Sequence, residues 1–519
     1  MKNSKLIIIS ILPLFFMNIA SAQQNNLKVE LTLEEAITIA QDSSLRAFID
    51  KNSFLSDYWD FRTYQASFLP TLSLETTPFN YERSIREVYN SQDDEYQFIQ
   101  SKKLNSYANL SLTQNIPLTG GRVYIDSDLG RIQNIGGKIE YSSTPIRIGI
   151  QQDLFDFNSF KWQKKIEPLE FTRSKKEFLK ASQAIANNTV NFFFALLSAQ
   201  IELKIAQNDF SNADTLYRDG LQRQEKGTIS LEDIYSLELS LMDANSDLER
   251  AETSVRRAQT RLLSFLRMDK NINLELIPPD HIYLIDINEL RAIEVARKNN
   301  PDVLDMELQK MYAERSVEQA KKSRYSADLR VSMGLNQTTD DRRIRSVYQN
   351  LDNQQKVAVS MVIPIIDWGL SKKRYKLAQS NQEVVLARME QAEIDFDEGV
   401  RRTVEEYNRQ KDLVKRAAKA DTLAQMMYDV TQERYMDGDV DIIKLNSAQN
   451  KRNSAREDYF RRLKEYWDYY YEIRQMTLYD FVGENDITID FYNIFQVDVL
   501  RTLENNSMID QINEADKFN

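Results

Sequence analysis

Residues 357–378 read VAVSMVIPIIDWGLSKKRYKLA, and the pattern changes halfway along. Val357, Val359, Met361 and Ile363 fall on one face of an extended strand. Pro364 has no N–H to donate and ends the ladder. Asp367 then stands where a side chain can cap an incoming helix. From Ser371 the chain reads as one helix for 67 residue steps to Gly438, about 100 Å at 1.5 Å per step. A strand that passes straight into so long a helix sets the expected class: mostly α, with a β-sheet of membrane length.

The same junction occurs earlier as IGIQQDLFDFNSFKWQKKI, residues 148–166, with Asp156 and Phe157 in the places of Asp367 and Trp368. The chain is two copies of one plan. Ala36 and Ala40 of LTLEEAITIA (31–40) match Ala292 and Ala296 of NELRAIEVAR (288–297) at an offset of 256, and the two junctions match at an offset of 211. The first copy therefore carries 45 extra residues between Ser67 and Phe157. Each copy is expected to run opening helix, strands, long helix, glycine turn, return helix. ADLRVSMGLNQ (327–337) alternates strictly, as do Leu72 and Leu74, then Ala108, Leu110 and Leu112, then Ile146, Ile148 and Ile150. Runs of about nine to eleven residues with one apolar face suit strands that cross an outer membrane. The extra segment IPLTGGRVYIDSDLGRI (116–132) reads as a turn and a further strand. That hairpin either joins the sheet or folds beside it.

Each long helix ends at a glycine turn: RQEKGTISLEDI (223–234) and RYMDGDVDIIKL (434–445). Arg223, Gly227 and Ile229 stand over Arg434, Gly438 and Val440, again 211 positions apart. A glycine there accepts the left-handed dihedrals that end a helix. After each turn a return helix of about 40 residues is expected. In the first copy Ile234, Leu237, Leu241, Ala244, Leu248, Ala251, Val255, Ala258, Leu262 and Phe265 keep the 3-4 spacing of a coiled-coil seam. YWDYYYEIRQMTLYDF (466–481) reads as packing rather than as a ligand site.

Composition excludes several functions. The net charge of −11 argues against a nucleic-acid partner. The chain has no cysteine, and a zinc site or a Ser/His triad would need the single histidine, His281, which is read as a loop residue with nothing nearby to support either. No catalytic residues, metal or cofactor are expected. Lys2 and Lys5, an apolar run and Ala20-Ser21-Ala22 read as a secretory leader. No later segment is expected to be apolar enough for a membrane helix, so membrane entry must be by strands.

These junctions, openings and turns resemble the TolC-like outer-membrane efflux family, in order and twice, over nearly the whole mature chain. The resemblance implies a trimer-shared antiparallel β-barrel continued by a periplasmic tunnel of coiled-coil helices. It implies a periplasmic adaptor (membrane fusion) protein and an inner-membrane transporter as partners, outer-membrane lipid around the barrel, and drugs, toxic compounds or secreted polypeptides as cargo. A soluble periplasmic coiled-coil adaptor or scaffold is the alternative. The implied divisions are a leader (1–22), first opening helix (23–68), first strands with the extra hairpin (69–157), and first long helix, tip and return helix (158–286). The second copy divides into opening helix (287–325), strands (326–367), and long helix, tip and return helix (368–481), with a polar tail (482–519).

The family's turns carry an acidic residue six positions after the glycine that narrows the pore entrance. Asp233 keeps it in the first copy, whereas Lys444 stands there in the second, with acidity at Asp437, Asp439 and Asp441 instead. Tyr435 matches an aromatic that can tie to Asp233 in a closed state. Arg223, Gly227, Ile229, Arg434, Gly438 and Val440 are the implied adaptor-docking residues. Asp156, Phe157, Pro364, Asp367 and Trp368 mark the strand–helix junctions. The two aromatics belong either at the membrane boundary or in packing at the barrel base.

Overall fold

The computed structural model describes residues 28–90, 94–279, 282–323, 326–339, 343–491 and 494. The leader at 1–22, His281 and most of the tail lie outside the described residues. The chain divides into two compact units: residues 1–48, 185–284 and 410–468 form one, and residues 49–184, 285–409 and 469–519 the other.

The second unit holds a six-stranded antiparallel sheet. Its strands are β2 (Thr71–Asn90), β3 (Glu95–Asn115), β4 (Arg122–Asn134), β5 (Ile139–Asp153), β7 (Ser326–Thr339) and β8 (Asp352–Val362), hydrogen-bonded in that order. The extra hairpin therefore joins the sheet, and the first copy supplies four strands to the second copy's two. The strands run 11 to 21 residues, longer than the sequence suggested. In β2 and β3 the excess is a polar stretch that pairs past a bulge at Thr77/Asn80 without strict alternation. All four helix connections leave from one end of the sheet. A 3-10 turn (Ile344–Tyr348) folds back at the other end, where the Ser143 hydroxyl donates to Val347 O at 2.8 Å.

Each opening helix is broken once. α1 (Leu33–Ser43) gives way to α2 (Leu45–Ala66), whose first turn is capped by Ser44 Oγ accepting from Ala47 N at 3.1 Å. α5 (Glu289–Asn299) gives way to α6 (Pro301–Lys322). Pro301 cannot donate into the preceding turn, and Asn300 caps α6. The long helices α3 (Ser159–Glu225) and α7 (Leu370–Met436) each have 67 residues, and the return helices α4 (Leu231–Leu266) and α8 (Ile442–Thr477) each have 36. Within the second unit α2, α3 and α6 meet over Phe54, Phe61 and Phe171, and Trp162 Nε1 donates to Glu318 at 2.8 Å. The Phe491 ring lies tilted against Phe54 at 5.1 Å, so the start of the tail packs on this unit.

In the first unit, residues 185–199 of α3 form the core: Ala186, Val190, Phe193, Phe194 and Leu196 are fully buried. That stretch makes α3 long and apolar enough by composition to cross a membrane, contrary to the sequence expectation. All ten positions of the α4 seam are buried or half-buried. A short parallel pair, β1 (Lys28–Leu31) with β6 (Asn273–Leu276), was not foreseen. The Gln200 side chain reads β6 at both Leu274 O and Leu276 N. Farther along, the buried Arg452 of α8 donates to Asp209 of α3 at 2.6 Å and stacks on the Tyr428 ring of α7. Tyr466 is fully buried and exchanges hydrogen bonds with the Tyr283 backbone, so the aromatic run starts as packing.

Candidate functional site

The sheet has two chemically opposite faces, fixed by its register. Leu72 pairs with Leu112, Leu112 with Ile125, Ile125 with Ile148 and Ile148 with Met333, so these side chains share one face. Val123, Ile150, Val331 and Val357 form the next row. Between that row and the row of Ala108 and Leu129, this face carries no charged residue among the described residues. Yet Leu72, Leu74, Leu110, Ile125, Ile148, Met333 and Val357 are all exposed. An exposed apolar band across six strands marks an interaction surface, and here its alternation fits contact with lipid.

The opposite face is polar. Ser111, Thr113, Tyr124, Asp126, Arg147, Arg330 and Lys356 line it together. Its charges are largely paired: across strands Arg147 bonds Asp126 at 2.8 Å and lies 3.5 Å from Asp128, and along β7 Arg330 lies 2.7 Å from Asp328. Gln151 joins this network, accepting from Arg122 and donating to Asp328. Of these residues the sequence reading set only Arg330 on a polar face, opposite Val331 and Met333. The signal was available, since each lies one step out of phase with the apolar series.

Where β8 becomes α7, the Asp367 carboxylate accepts from Gly369 N at 2.8 Å and Ser371 N at 3.0 Å. In the first copy the cap is not Asp156, which among the described residues accepts from the adjacent Phe157 N. Asn158 takes the role, accepting from Lys161 N, while its amide donates to Pro117 O and Leu118 O of the β3–β4 turn. The two aromatics also part company. Phe157 packs against Trp162, Ile166 and Leu308. Trp368 has a positive φ of 53° and is 87% exposed. It follows the exposed Ile363, Pro364, Ile365 and Ile366, an apolar rim at the helical end of the sheet.

At the glycine turns, Gly227 and Gly438 have φ of 72° and 81°. Thr228 N bonds back to Arg223 O, and Asp439 N to Arg434 O, each at 2.9 Å, so both long helices end with the same closure. The restarts differ. Ser230 caps α4 with Asp233 in a reciprocal capping box, Asp233 accepting from Ser230 N at 3.0 Å and Ser230 Oγ at 2.7 Å. Those bonds, the hydroxyl's first, hold the Asp233 carboxyl below its ordinary pKa. Asp441 stands 211 positions after Ser230 and accepts from Lys444 N at 2.8 Å. The second turn has thus moved its carboxylate from the third helical residue to the cap itself, leaving Lys444 free of that duty.

Arg223 donates to Met436 O at 3.3 Å and pairs with Asp219 at 2.7 Å, linking the two turns. Arg434 lies 3.9 Å from Asp439. Ile229 and Tyr435 pack against a buried cluster of Leu237, Tyr428, Ile442 and Leu445. Burial raises the Tyr435 hydroxyl's pKa, Arg223 opposes the shift, and Asp219 and Asp233 add to it. The Asp233 side-chain bonds run to Ser230, and none among the described residues joins it to Tyr435. Asp437, Asp439 and Gly438 are exposed, and Val440 is half-buried.

A model of the family described as outer membrane efflux protein matches residues 118–266 and 292–477. The chain belongs to the outer membrane efflux protein family. Membership places it in the outer membrane, with its helices in the periplasm, and sets aside the soluble-scaffold alternative. No curated protein matches the chain. Solved structures share the fold at low identity. The Campylobacter jejuni CmeC outer membrane channel is 12% identical with a TM-score of 0.65, over 89% of this chain and 88% of its own. The Vibrio cholerae outer membrane protein VceC is 11% identical with a TM-score of 0.61, over 86% and 95%. The open Neisseria gonorrhoeae MtrE outer membrane channel is 13% identical with a TM-score of 0.57, over 86% and 88%. Two of the three are described as channels and none as an enzyme. In this efflux protein the family match covers both junctions and both glycine turns.

Proposed function

We propose that three copies of this chain assemble into a channel-tunnel that exports small molecules, among them drugs and toxic compounds, or secreted polypeptides. The observation that carries this reading is the open sheet: β2 and β8 are its ends, and an exposed apolar face spans all six strands. Unpaired strand edges do not survive in hydrocarbon, so the sheet must close on further copies. Three is the number the family resemblance implies, and three sheets of six give eighteen strands, enough for an aqueous lumen. Width supports the count. Six strands at about 4.8 Å, tilted by about 40°, cover roughly 38 Å of circumference, and the four helices joined to the sheet, α2, α3, α6 and α7, cover much the same at about 9 Å each.

The polar face lines the lumen. An adaptor protein docks at the turns around Arg223, Gly227, Ile229, Arg434, Gly438 and Val440, and couples the duct to an inner-membrane transporter. Asp233, Tyr435, Asp437, Asp439, Asp441 and Lys444 surround its entrance. Cysteines at Ile229 and Val440, crosslinked in intact cells, test the coupling. Capture of an adaptor and a transporter is the expected outcome, and export that persists without either would overturn it.

A further inference from the structure

We infer that Arg83, Lys102 and Arg131 form a docking site for the phosphate groups of anionic lipid headgroups in the outer leaflet. The inference rests on the apolar face being the lipid face and adds a specific lipid contact to it. From Gln114 to Leu104 on β3 is ten residue steps, about 33 Å of strand and about 25 Å of depth at a 40° tilt. That is the height of a barrel's apolar band. Lys102 stands one row beyond Leu104 on the same face, directly opposite Arg83. Arg131 shares that face as the partner of Ser106, one row inside Leu104, and only its long side chain reaches up toward the layer of Arg83 and Lys102.

These cations sit at the end of the sheet away from the helices, and hence toward the outer leaflet. β4 ends beside Lys102, whose carbonyl accepts from Ile135 N at 2.9 Å, and past that point the β2–β3 ladder continues alone to Asn90 and Glu95, so Arg83 and Lys102 stand at the foot of a two-stranded ribbon. Their neighbours leave their charge uncancelled. Arg83 faces the Gln100 amide oxygen at 2.6 Å, and Arg131 donates to Gln133 at 2.7 Å. No carboxylate among the described residues pairs with any of the three, and Glu87, the first acid beyond them on that face, lies two rows past Arg83. Tyr81, exposed and opposite Leu104, supplies an aromatic at the rim. Long basic side chains above an apolar band reach the headgroup layer, where anionic lipid attracts them.

The occupant is a phosphate-bearing lipid, because the site continues an apolar surface that free phosphate cannot use. The test places the full-length protein in vesicles of neutral lipid doped with a phosphate-bearing anionic lipid, and measures anionic lipid retained per protein by native mass spectrometry. Wild type is expected to enrich the anionic lipid. The Arg83→Gln, Lys102→Gln, Arg131→Gln triple variant is expected to lose roughly fivefold in affinity per cation. Equal retention by the triple variant would overturn the inference. So would displacement of the lipid by millimolar inorganic phosphate, which would assign the site to a soluble anion. Protease protection of both proteins in the vesicles is read alongside. Loss of protection in wild type would mean that the barrel reading had failed, and the headgroup site with it.

Discussion

The two copies agree in their helices and differ in their sheet. α3 matches α7 at 67 residues and α4 matches α8 at 36, whereas the first copy supplies four strands and the second two. The contrast follows from geometry. One extra residue in a helix turns every later side chain by about 100°, which takes a packed seam out of register. A hairpin leaves and returns at the same end of an up-and-down sheet, so it widens the wall without moving any helix. The glycine turns repeat the lesson at smaller scale: the closure is kept, and only the carboxylate of the restart moves, from Asp233 to Asp441.

Matched length in the helices implies that their cross-links are costly to lose. Arg452→Leu leaves the buried Asp209 with the Asn453 amide but no cation, and about 3–5 kcal/mol of stability should go with it. Thermal unfolding monitored by helix circular dichroism reads the loss, and a wild-type profile would mean that the helices do not depend on that pair. The sheet should instead tell its two faces apart. Leu110→Arg puts charge in the apolar band and should cost about 2–4 kcal/mol of membrane assembly. Ser111→Arg, one residue away on the polar face, should leave assembly intact. Urea midpoints in lipid vesicles compare them, and equal effects would erase the distinction between faces.

The turns give smaller effects. Gly438→Pro forces a negative φ where the chain needs 81°, costing more than about 1 kcal/mol locally. Assembly should survive while coupling to the pump fails, as gel mobility and export assays would show together. A failure to assemble would place the turn in the folding of the sheet. Asp233→Ala and Asp441→Ala should each cost about 1 kcal/mol at their own turn, and Lys444→Asp almost nothing, by hydrogen exchange of the restart amides. Acid sharpens the pair. The Asp233 carboxyl titrates below its ordinary 3.8 in the folded chain, so its capping contribution is complete above that value and is lost as pH falls through the depressed one. Protection of the first α4 turn should weaken only in that acid range.

Much of this was legible because periodicity and spacing are written directly in the sequence. Two copies, two glycine turns and the apolar face of Leu110, Ile148 and Val331 all follow from them. What stayed hidden had weak or competing local signals. The β1–β6 pair is four residues long. Ser44 looks like any polar helix residue until its hydroxyl is seen capping α2. The length of β2 and β3 was missed because Arg83, Glu87 and Lys102 interrupt the alternation beyond the bulge. Lys444 seemed to be a lost carboxylate until Asp441 was found doing the capping.

The central claim is that this chain is one third of a closed wall. Native mass spectrometry of the protein extracted from outer membranes in mild detergent tests it most directly. The account predicts a particle of three chains, and a stable particle of one chain, with β2 and β8 both unpaired, would contradict it.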